Sequence, residues 1–316
     1  MVNFKIIYKV IGSLLFIEAI MMLACLAVSI YYRDDDIPAF LITITVTLLA
    51  AIGLKYKGYG AENSLGRREA YLLVTLIWLI FSALGALPFV ISGYLTSYTD
   101  AFFETMSGFT TTGATIIDDV EALPHGLLFW RSLTHWIGGL GIMFFTIAIL
   151  PSLVGGSVKV FSAEATGPIK SKMHPRLSTT AKWIWGIYLL ITASCAACFW
   201  LFGMGFFDSI NYSMSIAATG GFSTHNASMA FFDSAAIDYT AAIFMILSGV
   251  NFSLLYLLIL KGKVKDFVKD SELRFYLGVI SISTLFITYM LVTRNGISVA
   301  DSFRYALFQV SSFIST

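Results

Sequence analysis

Seven apolar segments, each about as long as a membrane-spanning helix, dominate this 316-residue sequence. They lie at residues 10–32, 37–55, 70–94, 126–151, 183–206, 238–260 and 275–293. A helix that crosses the hydrocarbon core of a bilayer needs ~20 mostly apolar residues. Charged residues make up only 12% of the chain, whereas soluble domains carry about 25%. The sequence therefore predicts an all-α polytopic membrane protein, with no nucleic-acid partner.

Three shorter, partly apolar stretches lie between these segments, at residues 99–111, 207–219 and 301–315. They are too short to span a bilayer, so we expect re-entrant half-helices or interfacial helices. If all three enter and leave on the outer side, and the N-terminus is cytoplasmic, sixteen of the 20 basic residues fall inside. That bias follows the positive-inside rule, so a multi-pass topology with a cytoplasmic N-terminus is predicted.

The short stretches are related to one another. "DAFFETMSGFTTTGAT" from Asp100 aligns without gaps with "DSINYSMSIAATGGFST" from Asp208, which pairs Gly113 with Gly221. A third copy, "DSFRYALFQVSSFIST", begins at Asp301 and has a longer helical part. Each repeat reads as helix, half-helix with loop, helix, and the repeats run parallel. Parallel repeats of this kind surround a central pathway.

The repeats divide the chain into four predicted regions. Two extra N-terminal helices occupy residues 1–60, complete units occupy 68–155 and 179–262, and an incomplete third unit occupies 271–316.

The loops that end the first two half-helices carry hydroxyls and glycine but no carboxylate. Irregular backbone at membrane depth is tolerated only where it is buried in protein or lines water. Its carbonyl oxygens can replace the hydration shell of an ion, as in K⁺-selective filters. The C-terminal end of the preceding half-helix carries partial negative charge and favours a cation. These loops therefore predict a cation pathway.

The stretches "SGFTTTGAT" (107–115), "HWIGGLGIM" (135–143) and "AATGGFSTHN" (217–226) resemble the Trk/Ktr/HKT superfamily of potassium transporters, most closely its bacterial TrkH members. The resemblance implies K⁺ uptake across the bacterial inner membrane through four such units around one pore. It also implies two extra N-terminal helices, a homodimer in membrane lipid, and a cytosolic nucleotide-binding regulatory subunit such as TrkA.

The resemblance also assigns filter residues by position. Glycine at the filter position of both complete units, Gly113 and Gly221, favours K⁺, with Rb⁺ as a surrogate; Gly220 is the less favoured register for the second filter glycine. The backbone carbonyls expected to hold the ion are those of Thr111, Thr112, Thr219 and Gly220. The full set is Thr110, Thr111, Thr112, Gly113 and Ala114; Ala218, Thr219, Gly220, Gly221 and Phe222; and Ser315 with Thr316.

The chain ends before the third filter glycine, and it has neither a third exit helix nor a fourth unit. We therefore expect it to be part of a longer protein.

Two other functions compete with this interpretation. An ion-coupled secondary transporter would bind a small solute at broken helices near the bilayer midplane, but inverted repeats are typical of many such carriers. A membrane enzyme is disfavoured because no Ser/His/Asp set or metal cluster is recognisable. Cys195 and Cys198 lie in an apolar segment and are expected to act as small hydrophobic residues.

Residues near the start of segment 126–151 allow two interpretations. Arg131, one turn before His135, either braces an acidic neighbour such as Glu104 or Asp118, or anchors the helix at the membrane interface beside tryptophans. The second is the expectation here. Gly138, Gly139 and Gly141 predict close helix packing.

Overall fold

The computed structural model describes residues 2–61, 67–139, 141 and 177–315. The described residues form helices joined by turns and loops, with no strand among them. Five helical segments among them are long and apolar enough to cross a membrane, and a bent pair of helices makes a sixth if the pair is one span. The chain is therefore an all-α polytopic membrane protein, as predicted.

The chain begins with an antiparallel hairpin of two long helices, α1 (Phe4–Tyr32) and α2 (Ile37–Lys57). The Asn3 side chain caps α1, and Arg33 ends it in the left-handed conformation. A Cβ on Gly12 would lie 2.8 Å from the Ala51 carbonyl oxygen, so glycine allows the two backbones to approach closely. This hairpin accounts for the two extra N-terminal helices predicted from the sequence.

The first predicted unit contains α3 (Arg67–Gly85), α4 (Leu87–Ile91), α5 (Tyr98–Phe109) and α6 (His125–Gly139), with a 3₁₀ turn at Val120–Ala122. Segment 70–94 was predicted as one spanning helix, and Arg68–Ile91 is one of the candidate spans, interrupted only at Ala86. Pro88 lacks the N–H that would continue the helical ladder, so a new short helix starts beside it. The rest of segment 126–151, apart from 141, lies outside the described residues.

Two acidic residues fix the hairpin to α6. The Asp34 carboxylate accepts from the His125 N–H over 2.8 Å, and the Asp36 carboxylate accepts from the Leu127 N–H over 3.1 Å. The His125 ring stacks on Tyr32 with centroids 3.8 Å apart. Acidic groups at a helix N-terminus satisfy free N–H groups and complement the helix dipole. The first turn of α6 is therefore held by the hairpin.

The second predicted unit contains α7 (Leu177–Leu201), α8 (Phe206–Ala217), α9 (Ala235–Gly249) and α10 (Phe252–Lys261), with a 3₁₀ turn at Ser228–Phe232. Segment 238–260 was predicted as one spanning helix. Ala235–Gly249 and Leu254–Lys261 are together long and apolar enough to cross a membrane, but a bend of 104° separates them, so the segment is not one continuous helix. The break at Val250 follows the poor helix formers Ser248 and Gly249. Val250 takes up extended backbone (φ −75°, ψ 141°).

The short helix α11 (Val264–Lys269) lies between the second and third predicted units, and the third unit contains the long α12 (Ser271–Asn295) and α13 (Val299–Ser315). The short helix α13 has 17 residues, whereas α5 and α8 have 12 each. This agrees with the longer helical part read from the sequence. α13 packs against α12 and against α9 of the second unit, so the three short helices belong to one assembly.

Candidate functional site

The first predicted loop leaves α5 in a tight turn. The Thr110 N–H and hydroxyl both donate to the Met106 carbonyl, over 2.9 and 2.7 Å, and the Thr112 N–H donates to the Ser107 carbonyl over 2.9 Å. Thr111 (φ 54°) and Gly113 (φ 74°) have positive φ. The backbone therefore reverses hand at alternate residues before it reaches Ala114, which is exposed.

The second loop repeats this turn at the aligned positions. The Ala218 N–H donates to the Met214 carbonyl over 3.1 Å, and the Gly220 N–H donates to the Ser215 carbonyl over 2.9 Å. Thr219 (φ 55°) and Gly221 (φ 96°) again have positive φ. A left-handed threonine is uncommon, so its occurrence in both loops indicates that the two loops have the same backbone conformation. This agrees with the ungapped alignment.

The two loops touch each other. A Cβ built on Gly113 would overlap the Gly220 carbonyl oxygen. Residues that the sequence separates by a whole unit are thus brought into backbone contact. This contact places Thr111, Thr112, Thr219 and Gly220, whose carbonyls were predicted to hold the ion, in adjoining turns.

The close approach depends on two glycines of α6. A Cβ on Gly138 would overlap the Phe109 carbonyl oxygen at the end of α5, and a Cβ on Gly139 would lie 2.6 Å from the Cα of Ala218 at the end of α8. The last turn of α6 is therefore inserted between the ends of the two short helices. The packing role expected for Gly138 and Gly139 agrees with this geometry.

The expectation that Arg131 anchors α6 at the membrane interface is wrong. Arg131 is only 3% exposed, and its Nε lies 2.9 Å from Oε1 of Glu104, which is 1% exposed. An isolated charge is too costly to bury, but a paired one is tolerated. Of the two acidic partners considered, Glu104 is the one bound by an ion pair.

Phe222 and His135 form the wall behind the second loop. Their rings stack with centroids 3.9 Å apart, and the Phe222 N–H donates to His135 Nδ1 over 3.4 Å. A Cβ on Gly220 would overlap the same imidazole ring. The Phe222 side chain is therefore packed into protein, and any ion contact by Phe222 would be through its backbone.

The end of α13 lies beside the second loop. Ser315, the last residue of this helix, lines a cavity of about 150 Å³ together with Thr219, Gly220 and Gly221. Thr316, the other residue predicted for the third loop, lies outside the described residues.

The TrkH family model, described as "Cation transport protein", matches residues 36–315. The chain belongs to the TrkH family. It is 39% identical over 317 residues to the Trk system potassium uptake protein TrkH of Escherichia coli K12, covering 99% of this chain and 66% of that protein. It is 34% identical to TrkG of the same organism, covering 98% of this chain and 64% of that protein.

A solved structure agrees with this assignment. The crystal structure of the potassium transporter TrkH from Vibrio parahaemolyticus superposes with a TM-score of 0.86 at 36% identity, and the match covers 98% of this chain and 64% of that one. This TrkH-family chain thus spans 66% or less of the length of these relatives.

Sequence reasoning missed how the loop exits of this TrkH-family chain are joined. The His225 ring has Glu121 Oε1 at 3.3 Å on one side and Asp208 Oδ2 at 3.4 Å on the other. Asn226 accepts from the Val120 N–H and donates to Asp119 Oδ1, each over 2.8 Å. Most of these partners lie more than a hundred positions away, so no local spacing could have identified them.

Proposed function

We propose that the full-length protein takes up potassium across the bacterial inner membrane through a channel-like pore. The observation that carries this proposal is the matched turn at Thr111–Gly113 and Thr219–Gly221, joined by backbone contact between Gly113 and Gly220. Two equivalent carbonyl-rich turns from successive units are the arrangement that a ring-like filter requires.

The carbonyl oxygens of Thr111, Thr112, Thr219 and Gly220 are the ion ligands in this proposal. They replace the hydration shell of a cation without any side-chain charge. The remaining filter residues frame these turns, and α5 and α8 direct their negative C-terminal ends towards the ion. Ser315 and Thr316 begin the third set. These roles are supported by the repetition of one turn in two loops.

The units at residues 68–155, 179–262 and 271–316 are proposed to surround one pore, with the hairpin at 1–60 outside it. Support comes from the packing of α6 between the ends of α5 and α8, and from the contact of α13 with α9. Parallel repeats about an axis along the membrane normal are a common architecture for such pathways.

K⁺ is the proposed ion, with Rb⁺ as its surrogate. The relatives named above are potassium uptake proteins, and glycine stands at the filter position of both loops. The proposed orientation places the N-terminus in the cytoplasm, because the basic residues then gather inside.

The proposed partners are a second copy of the chain and a cytosolic nucleotide-binding regulatory subunit of the TrkA type. Membership of the TrkH family supports both. The basic run 155–182 either docks that subunit or is an ordinary positive-inside loop, and its residues 155–176 lie outside the described residues.

The alternative, an ion-coupled carrier of a small solute, is not favoured. It calls for a polar substrate pocket, whereas the described loops offer backbone and hydroxyl groups. The family of potassium uptake relatives also speaks against it.

Rb⁺ tracer uptake into liposomes that hold the full-length protein tests the proposal. We expect uptake that excess K⁺ suppresses strongly and excess Na⁺ suppresses weakly. Equal suppression by both ions, or uptake no faster than in protein-free liposomes, would contradict it.

A further inference from the structure

Arg131 lies on α6 where it reaches both loops at once. Its Nη1 donates to the Ser223 carbonyl over 3.0 Å, and its Nη2 donates to the Thr115 hydroxyl over 3.3 Å. The guanidinium also lies over the Phe222 ring, with its carbon 4.2 Å from the centroid. One buried side chain therefore contacts the exit of the first loop and the exit of the second.

The two contacted residues occupy equivalent places. Thr115 follows Gly113 by two residues, and Ser223 follows Gly221 by two residues. The alignment that pairs the filter glycines thus pairs Thr115 with Ser223. A single guanidinium thus contacts the same position in two successive repeats and links the two loops.

Glu104 completes the first-loop side of this link. Its carboxylate binds Arg131 Nε, and it accepts from the Thr115 hydroxyl over 3.0 Å and from the Ile116 N–H over 3.0 Å. The aligned residue in the second unit is Tyr212, which carries no carboxylate. The link therefore originates from the first unit alone and reaches across to the second.

Only arginine can make this set of contacts. Its planar fork presents five N–H donors in fixed directions, whereas lysine offers one compact charge on a flexible stem. Lysine at this position keeps the charge that Glu104 needs, but it cannot bind Glu104, Thr115 and Ser223 together. Arg131→Lys therefore removes the hydrogen bonds to Thr115 and Ser223 but keeps a positive charge beside Glu104.

We propose that Arg131 is a positioning residue that holds the first and second loops at the spacing needed for ion selectivity. The inference rests on the proposed function of these loops. Arg131 does not touch the ion. It acts on discrimination between ions because a carbonyl ring selects by the number and placement of its oxygens.

Three variants of the full-length protein test the proposal. Arg131→Lys breaks the link and keeps the charge. Thr115→Val removes one acceptor of the link at an exposed position. Arg274→Lys, at an exposed arginine bonded to backbone carbonyls, is the matched control. Each variant is reconstituted in liposomes, and Rb⁺ uptake is measured against competing K⁺ and Na⁺, with thermal stability measured in detergent.

We expect Arg131→Lys to lower the K⁺/Na⁺ preference by about tenfold, the scale of one lost charge-assisted hydrogen bond. Thr115→Val should lower it less, and Arg274→Lys should leave it unchanged. If Arg131→Lys yields no folded protein, the Thr115→Val result decides. Native selectivity in Thr115→Val and in any folded Arg131→Lys overturns the inference, even if stability or uptake rate falls. A native protein that shows no K⁺ preference refutes the proposed function instead.

Discussion

The carbonyl oxygen of Gly220 lies so close to Gly113 that no Cβ fits between the two residues. Gly113 also has a φ of 74°, which is costly for residues other than glycine. Both properties fall on the residue predicted as the first filter glycine. The backbones of the two repeats can therefore touch only because Gly113 has no side chain.

Replacing this glycine should disturb the contact directly. Gly113→Ser inserts a Cβ against the Gly220 carbonyl, so one of the two loops must move. We expect the K⁺/Na⁺ preference to fall by about tenfold, which corresponds to ~1.4 kcal/mol of lost discrimination. Competition by K⁺ and Na⁺ against Rb⁺ uptake in liposomes measures it.

Gly60→Ser is the matched control for this variant. Gly60 has nearly the same φ, 72°, but a Cβ there meets no atom within 4 Å. The Gly60→Ser variant should therefore have a similar backbone strain and an unchanged K⁺/Na⁺ preference. An equal K⁺/Na⁺ preference in the two variants would contradict the assignment of Gly113 as a filter residue.

Gly221→Ala tests the second loop in the same way. Gly221 has a φ of 96° and open space around a Cβ, so alanine adds strain without a clash. We expect the turn to relax and the selectivity to fall. Gly203, also with a φ of 96° and open space, lies in the connection before α8. Gly203→Ala should cost about the same stability, ~1–3 kcal/mol, with selectivity retained, and the idea fails if the two variants discriminate ions alike.

Gly138→Ala should loosen the packing of α6 against α5. Its Cβ overlaps the Phe109 carbonyl oxygen, and overpacking costs about 1–3 kcal/mol. The melting temperature in detergent should therefore fall. Gly186→Ala is the control, because a Cβ at this helical glycine meets nothing within 4 Å. It should raise the stability by roughly 0.5–1 kcal/mol, and a fall of equal size in both variants would argue against the packing role of Gly138.

Asn226→Ala should uncouple the exits of the two loops. The substitution removes the bonds to the Val120 N–H and to Asp119, and it leaves the part-buried Val120 N–H without its acceptor. We expect a loss of ~0.5–1.5 kcal/mol, measured as a lower melting temperature. Asn295→Ala, at the exposed end of α12, should have little effect. Asn226→Ala with native stability would mean that the side chain does not join the loops.

Much of this architecture follows from the sequence because its signals are local. The lengths of α1, α2 and α12 follow from apolar runs. The shared turn follows from the alignment of the two repeats, which places Gly113 opposite Gly221. Hydrophobic periodicity and glycine placement operate within one helix or one loop. These features can therefore be predicted without knowledge of the tertiary packing.

What the sequence could not predict depends on long-range contacts. Arg131 was expected at the interface because its partner Glu104 lies on another helix, 27 positions earlier. The bend after Gly249 was missed because the apolar run continues through it. The role of His225 was invisible because one of its partners, Glu121, is 104 positions away. Such roles depend on which side chains are buried and which are paired across helices, and neither can be read from a single sequence.

The central claim is that the carbonyls of Thr111, Thr112, Thr219 and Gly220 bind the transported ion. The most direct test is a crystal structure of the full-length protein in Rb⁺, with the ions located by anomalous scattering. The account predicts Rb⁺ peaks between the two loops, coordinated by these four carbonyls. Well-ordered loops with no peak between them, and Rb⁺ bound at side chains elsewhere, would contradict it.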